Sequence, residues 1–106
     1  MFVGVGRIVL DFYNNDKASV KHRELEALCK SLRHDFNLSA LEIADFDDPE
    51  RCVIGFAAVI PETWETRRAH SFVESICERI DTTAFARVMI EDWELVETMG
   101  EKSERD

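Results

Sequence analysis

The 106-residue sequence contains no apolar run approaching the roughly 20 residues that cross a bilayer. Its opening, Met1-Phe2-Val3-Gly4-Val5-Gly6-Arg7, lacks the basic segment, apolar stretch and small-residue cleavage site of a secretory signal, so a cytoplasmic location is the expectation. Cysteine is scarce and spaced for neither zinc nor redox work. Cys29, Cys52 and Cys77 are odd in number and far apart, with no Cys-x-x-Cys pair, and are expected to be buried, inert thiols in a reducing compartment. The histidines His22, His34 and His70 show no His-x-x-x-His or Glu-linked pairing, so neither a metal nor a cofactor is expected. Four glycines, two prolines and no repeat or low-complexity stretch exclude a fibrous chain. Basic charge is also in deficit. Thirteen Lys and Arg against 22 Asp and Glu leave a net charge of -9, which opposes nonspecific attraction to nucleic acid or an anionic membrane and indicates no DNA partner.

What is present is a globular composition, 45% hydrophobic and 33% charged, at a length that suits one domain. Residues 2–13 read as a strand, because Ile8, Leu10 and Phe12 alternate with Arg7, Val9 and Asp11. Asn14-Asn15-Asp16 supplies turn chemistry. From about Lys17 to Phe36, Ala18, Leu25, Leu28, Cys29, Leu32 and Phe36 form an apolar helical stripe, with Arg23, Lys30 and His34 on the opposite side. Leu38–Phe46 is a second strand, Asp47-Asp48-Pro49-Glu50 a turn, and Arg51–Ile60 a third strand rich in Val, Ile and Ala. Pro61-Glu62-Thr63 marks a boundary with Thr63 as a helix cap. Ala69, Phe72, Val73, Ile76, Cys77 and Ile80 make the second helical stripe. Asp81-Thr82-Thr83 is expected to break that helix, and Ala84 to about Val96 to form the last strand. The charged residues 98–106 are expected to fray beyond a single domain over 1–97.

The order β-α-β-β-α-β with right-handed crossovers predicts an α+β, ferredoxin-like split βαβ sandwich, a four-stranded antiparallel sheet with both helices on one face. If Ile8, Leu10, Phe12, Ile54, Phe56, Ala58 and Ile60 face the helices, then Val3, Val5, Val9, Val53, Ala57 and Val59 point the other way, where the fold has nothing to cover them. An apolar face of that kind is a candidate for homodimerisation or partner binding.

No catalytic constellation emerges. Gly4-Val5-Gly6 precedes its strand instead of joining a strand to a helix and lacks a third glycine, so it reads as close packing. Asp45-x-Asp47-Asp48 resembles the opening of a calcium loop, but Glu50 stands where glycine is required, and a solvated acidic turn is expected. Trp64 and Trp93 read as packing anchors, since the first and third strands carry valine and alanine where base-stacking aromatics would be needed.

Several stretches together resemble the YlxP-like family of small bacterial proteins. Met1-Phe2-Val3-Gly4-Val5-Gly6-Arg7-Ile8 is similar to the family's opening strand, Phe36-Asn37-Leu38-Ser39 to its helix-to-strand junction, followed by the acidic Glu42, and Val53-Ile54-Gly55-Phe56-Ala57-Ala58-Val59 to its third strand. Over residues 1–96 the resemblance implies a ferredoxin-like fold and, through the company its genes keep, a connection with ribosomes or RNA. In the family's basic helix start, Lys21 matches a lysine, His22 replaces an arginine and Ser19 stands for a second lysine.

Two functional expectations follow for a noncatalytic binding protein. One is association with ribosomes or structured RNA through Lys21, Arg23, Lys30 and Arg33 on the first helix, which carries a local charge of +2 over residues 17–35 of an acidic molecule. The other is a homodimeric regulatory or interaction module whose contact includes Val5, Val9, Ala57 and Val59.

Overall fold

The computed structural model describes residues 1–83 and 85–98. Strands β1 (Phe2–Asp11), β2 (Ser39–Ala44), β3 (Arg51–Ile60) and β4 (Arg87–Glu97) alternate with helices α1 (Ala18–Phe36) and α2 (Thr66–Thr83) in the order β-α-β-β-α-β. All pairings are antiparallel and the strand order is β2-β3-β1-β4, a ferredoxin-like sandwich. The charged tail beyond Thr98 lies outside the described residues.

The strand pattern of period two and the helix pattern near 3.6 meet in one core. Ile8, Leu10, Phe12, Ile54, Phe56 and Ile60 pack against Leu25, Leu28, Cys29 and Leu32 of α1 and Ala69, Val73, Ile76, Cys77 and Ile80 of α2. Each fully covered leucine or isoleucine contributes roughly 1.5–3 kcal/mol through the water it sheds. Gly4 lets α2 approach the sheet, since a Cβ there would lie 2.7 Å from Val73 Cγ2, and Gly6 leaves room for the ring of its cross-strand partner Phe56.

Both ends of α2 differ from expectation. The helix starts at Thr66, not at Thr63, because Pro61–Trp64 closes a turn of its own, with the Trp64 N–H donating to the Pro61 carbonyl at 3.1 Å. Trp64 then sets its ring edge-on against Phe72 at 5.5 Å and under the Arg68 guanidinium at 3.7 Å, so it is a packing anchor as expected. Asp81-Thr82-Thr83 continues the helix, the Thr82 hydroxyl being satisfied by the Glu78 carbonyl at 2.9 Å and not by a turn of its own, and β4 begins later than expected, at Arg87. Helix α1 ends on Asn37 in the left-handed region, φ 54°, whose N–H caps the Arg33 carbonyl at 3.1 Å. Among the described residues no helix is long and apolar enough to cross a membrane.

Candidate functional site

Chemistry-bearing residues gather in two places: where α1 crosses the β2–β3 turn, and on the sheet face away from the helices. At the first, Lys21 extends from the apolar side of α1 and is fully buried. Its Nζ donates to the carbonyls of Asp45 (2.7 Å), Phe46 (3.3 Å), Asp48 (2.5 Å) and Arg51 (3.1 Å). Glu42 Oε2 completes the ring of oxygens with an ion pair at 3.1 Å that is not also a hydrogen bond. An ammonium has three protons and no acceptor, so the four carbonyls share them while the carboxylate balances the charge. The other Glu42 oxygen lies 2.9 Å from His22 Nδ1. Burial with complete pairing gives Lys21 a structural role, as its place near the apolar stripe of α1 allows, and leaves the exposed basic side of the helix to other residues.

Arg33 is also occupied. Its guanidinium donates to the Ala40 carbonyl at 2.7 Å and pairs with Glu26 at 3.0 Å, fastening α1 to the start of β2. Arg23 and Lys30 remain exposed, and among the described residues neither makes a hydrogen bond or ion pair. Half of the four-residue basic set thus serves the fold.

The acidic turn is built from within. Asp45 adopts φ 59° and pairs with Arg51 at 2.7 Å. Asp48 Oδ1 accepts the backbone N–H groups of Arg51 (3.0 Å) and Glu50 (2.9 Å), which hold its carboxyl below the usual range. A folded pKa below the unfolded one means stabilisation that is full above the unfolded value and lost as pH falls through the folded one. In urea melts, the deficit of Asp48→Ala relative to wild type is therefore expected to shrink on acidification below about pH 4. A deficit that stays constant into acid would contradict this.

The three thiols behave as small hydrophobes. Burial raises Cys29 to about 11 and Cys52 and Cys77 to about 12. The thiolate is the reactive form, so none is expected to react with a thiol reagent at about pH 8 until denaturant is added. Fast labelling of any one in the native protein would contradict that. Among the described residues no group of His, Cys, Asp and Glu is arranged to hold a metal ion.

On the bare sheet face, Val59 and Ala57 are exposed, Val59 at 71%, and Val3 and Val5 are half-buried. Leu41 (54%) on β2 and Ile90 (51%), Met89 and Val96 on β4 extend the apolar surface. Val9 and Val53, expected on the same patch, are fully buried. Irregularities in the edge strands account for this: the pairing of β4 shifts between Val9 and Leu10, and that of β2 between Glu42 and Ala44. Met89 and Arg51 border the hollow above Val9, while Ile43 folds over Gly55, to within 3.0 Å of where a Cβ would stand. Val9 is thus a core residue and not part of the exposed sheet face.

Residues 3–92 match the family model described as protein of unknown function (DUF503). The chain belongs to that family. No curated protein matches it. In this DUF503 chain the matched span takes in β1, both helices, the lysine ring and most of the bare face.

Proposed function

We propose that this chain is a noncatalytic, cytoplasmic interaction module that pairs with a second copy through the bare face of its sheet. The observation that carries the reading is the apolar surface of Val3, Val5, Leu41, Ala57, Val59 and Val96, with Ile90 beyond the Arg7 row, on a face that neither helix covers. Four strands about 4.8 Å apart, ten, six, ten and eleven residues long at about 3.3 Å per residue, make a face on the order of 600 Å² in projection, comparable with the roughly 800 Å² per partner of a standard interface. Edge-to-edge pairing is disfavoured by comparison. The β2 edge is six residues long and irregular, and the β4 edge carries Glu91, Asp92, Glu94 and Glu97.

The ribosome or RNA association implied by the YlxP-like resemblance has less to stand on. With Lys21 and Arg33 engaged, Arg23 and Lys30 remain; two phosphate contacts would give a salt slope of about -1.8 and little affinity on a molecule of net charge -9.

Light scattering or sedimentation tests the proposal. The wild type is expected to be dimeric at micromolar concentration, and Val59→Asp to be folded and monomeric, because a carboxylate forced into an apolar contact costs several kcal/mol, about a hundredfold or more in affinity. A wild type that stays strictly monomeric at tens of micromolar would overturn it.

A further inference from the structure

The bare face is not uniformly apolar. Arg7 stands near its centre on β1, with Gly55 of β3 as one cross-strand neighbour and Asp92 of β4 as the other. Glu94, two residues along β4, is paired across from Val5. Together Val5, Gly6, Arg7, Asp92, Trp93 and Glu94 line a shallow hollow of about 280 Å³. Arg7, Asp92 and Glu94 are all exposed, and among the described residues none of them makes an ion pair, although Arg7 and Asp92 are direct neighbours. A guanidinium presents five donors in a fixed fork suited to a carboxylate approaching end-on.

From this charge pattern we infer that a second copy of the chain supplies the missing counterions: Arg7 of each subunit pairs with the partner's Asp92 and Glu94, and these reciprocal pairs set the orientation in which the two sheets stack. The inference rests on the sheet-face pairing proposed above. It adds a specificity element, because apolar surfaces alone leave the relative orientation of two flat sheets loosely defined. A two-fold assembly uses the same patch on both copies, so a surface must carry both halves of every polar contact. This one does: one cation and two carboxylates sit side by side, rimmed by valine and leucine. The asymmetry of the face fits as well. The unpaired charges, Arg7, Asp92 and Glu94, lie on β1 and β4, whereas Leu41, Ala57 and Val59 lie on the β2–β3 half, where Arg51 is already paired with Asp45; a wrong docking would bury Arg7 against leucine or valine without a partner, which costs far more than it returns.

A charge-swap experiment by sedimentation tests the inference. Arg7→Glu places three carboxylates together and is expected to weaken self-association about tenfold or more, as is the double variant Asp92→Arg/Glu94→Arg, which places three cations together. Mixed in equal amounts, the two variants are expected to form a heterodimer near wild-type strength, since each supplies what the other lacks. Circular dichroism and thermal unfolding of the isolated variants are expected to match wild type, all three positions being exposed. If the wild type dimerises and Val59→Asp abolishes it while Arg7→Glu pairs as tightly as wild type, or the mixture fails to recover, the charge register is overturned and the sheet-face reading stands. A monomeric wild type overturns both.

Discussion

Replacing Lys21 by methionine is expected to remove about 3–5 kcal/mol of stability, the usual consequence of leaving one member of a buried ion pair without its partner. For a chain near 100 residues this corresponds to a fall in Tm on the order of 15–30 °C. Methionine keeps most of the apolar stem and removes the ammonium, so the loss isolates the polar head. Four carbonyls lose a donor, and Glu42 is left as a carboxylate, 12% exposed, facing them. Adding Glu42→Gln to Lys21→Met is expected to recover part of the deficit, because the stranded charge is gone; the carbonyls remain unsatisfied, so recovery is incomplete. The two substitutions should therefore be strongly non-additive in a double-mutant cycle measured by urea unfolding. A Lys21→Met protein within about 1 kcal/mol of wild type would show that the ring of oxygens contributes little.

The second large effect is expected at Gly6. An added Cβ would meet Phe56 Cε2 at 2.2 Å and Cζ at 2.4 Å, and Phe56 is itself buried in the core, so the ring cannot simply swing away. Overpacking of this kind costs about 1–3 kcal/mol and sometimes more, which offsets any gain from a stiffer unfolded chain. Gly4→Ala is expected to lose less, its Cβ meeting one methyl of Val73 at 2.7 Å. Gly55→Ala should be nearly neutral, its neighbour Ile43 being partly exposed and able to move. Denaturation midpoints in the order Gly55→Ala, Gly4→Ala, Gly6→Ala, from highest to lowest, are the expected result. Combining Gly6→Ala with Phe56→Leu should restore some of the loss, and failure to do so would locate the strain elsewhere.

The fold was legible in the sequence because its elements are long and cleanly periodic: the stripes of α1 and α2 and the alternation of β1 and β3 each point to one core. What escaped was local competition. Thr63 has the chemistry of a helix cap, yet the aromatic packing of Trp64 on Phe72 draws the chain into a separate turn first. Asp81-Thr82-Thr83 has the composition of a breaker, yet the helix runs on through it with the Thr82 hydroxyl bonded back to the Glu78 carbonyl. Val9 and Val53 alternate as bare-face residues should, but edge-strand irregularities and the side chains of Met89, Arg51 and Ile43 cannot be placed from a period of two. Lys21 was legible in part. Its spacing of four from Leu25 and eight from Cys29 sets it on the apolar side of α1, where a packed stem is the natural reading. Its partners were invisible, because carbonyl oxygens belong to every residue and only the folded turn brings four of them to one point.

An amine surrounded by backbone oxygens and one carboxylate is, in coordination terms, a bound cation whose chelating loop runs from Glu42 to Arg51. Loops of that chemistry usually recruit a dissolved ion and come and go with its concentration. Here the ion is tethered by four methylenes to a neighbouring helix, so it is neither diluted nor stripped by a chelator. Its occupancy depends only on α1 being folded. The hairpin tip of the most acidic stretch in the described chain therefore carries its own counterion, and its shape should be indifferent to calcium, magnesium or potassium across the range over which true ion-binding loops respond.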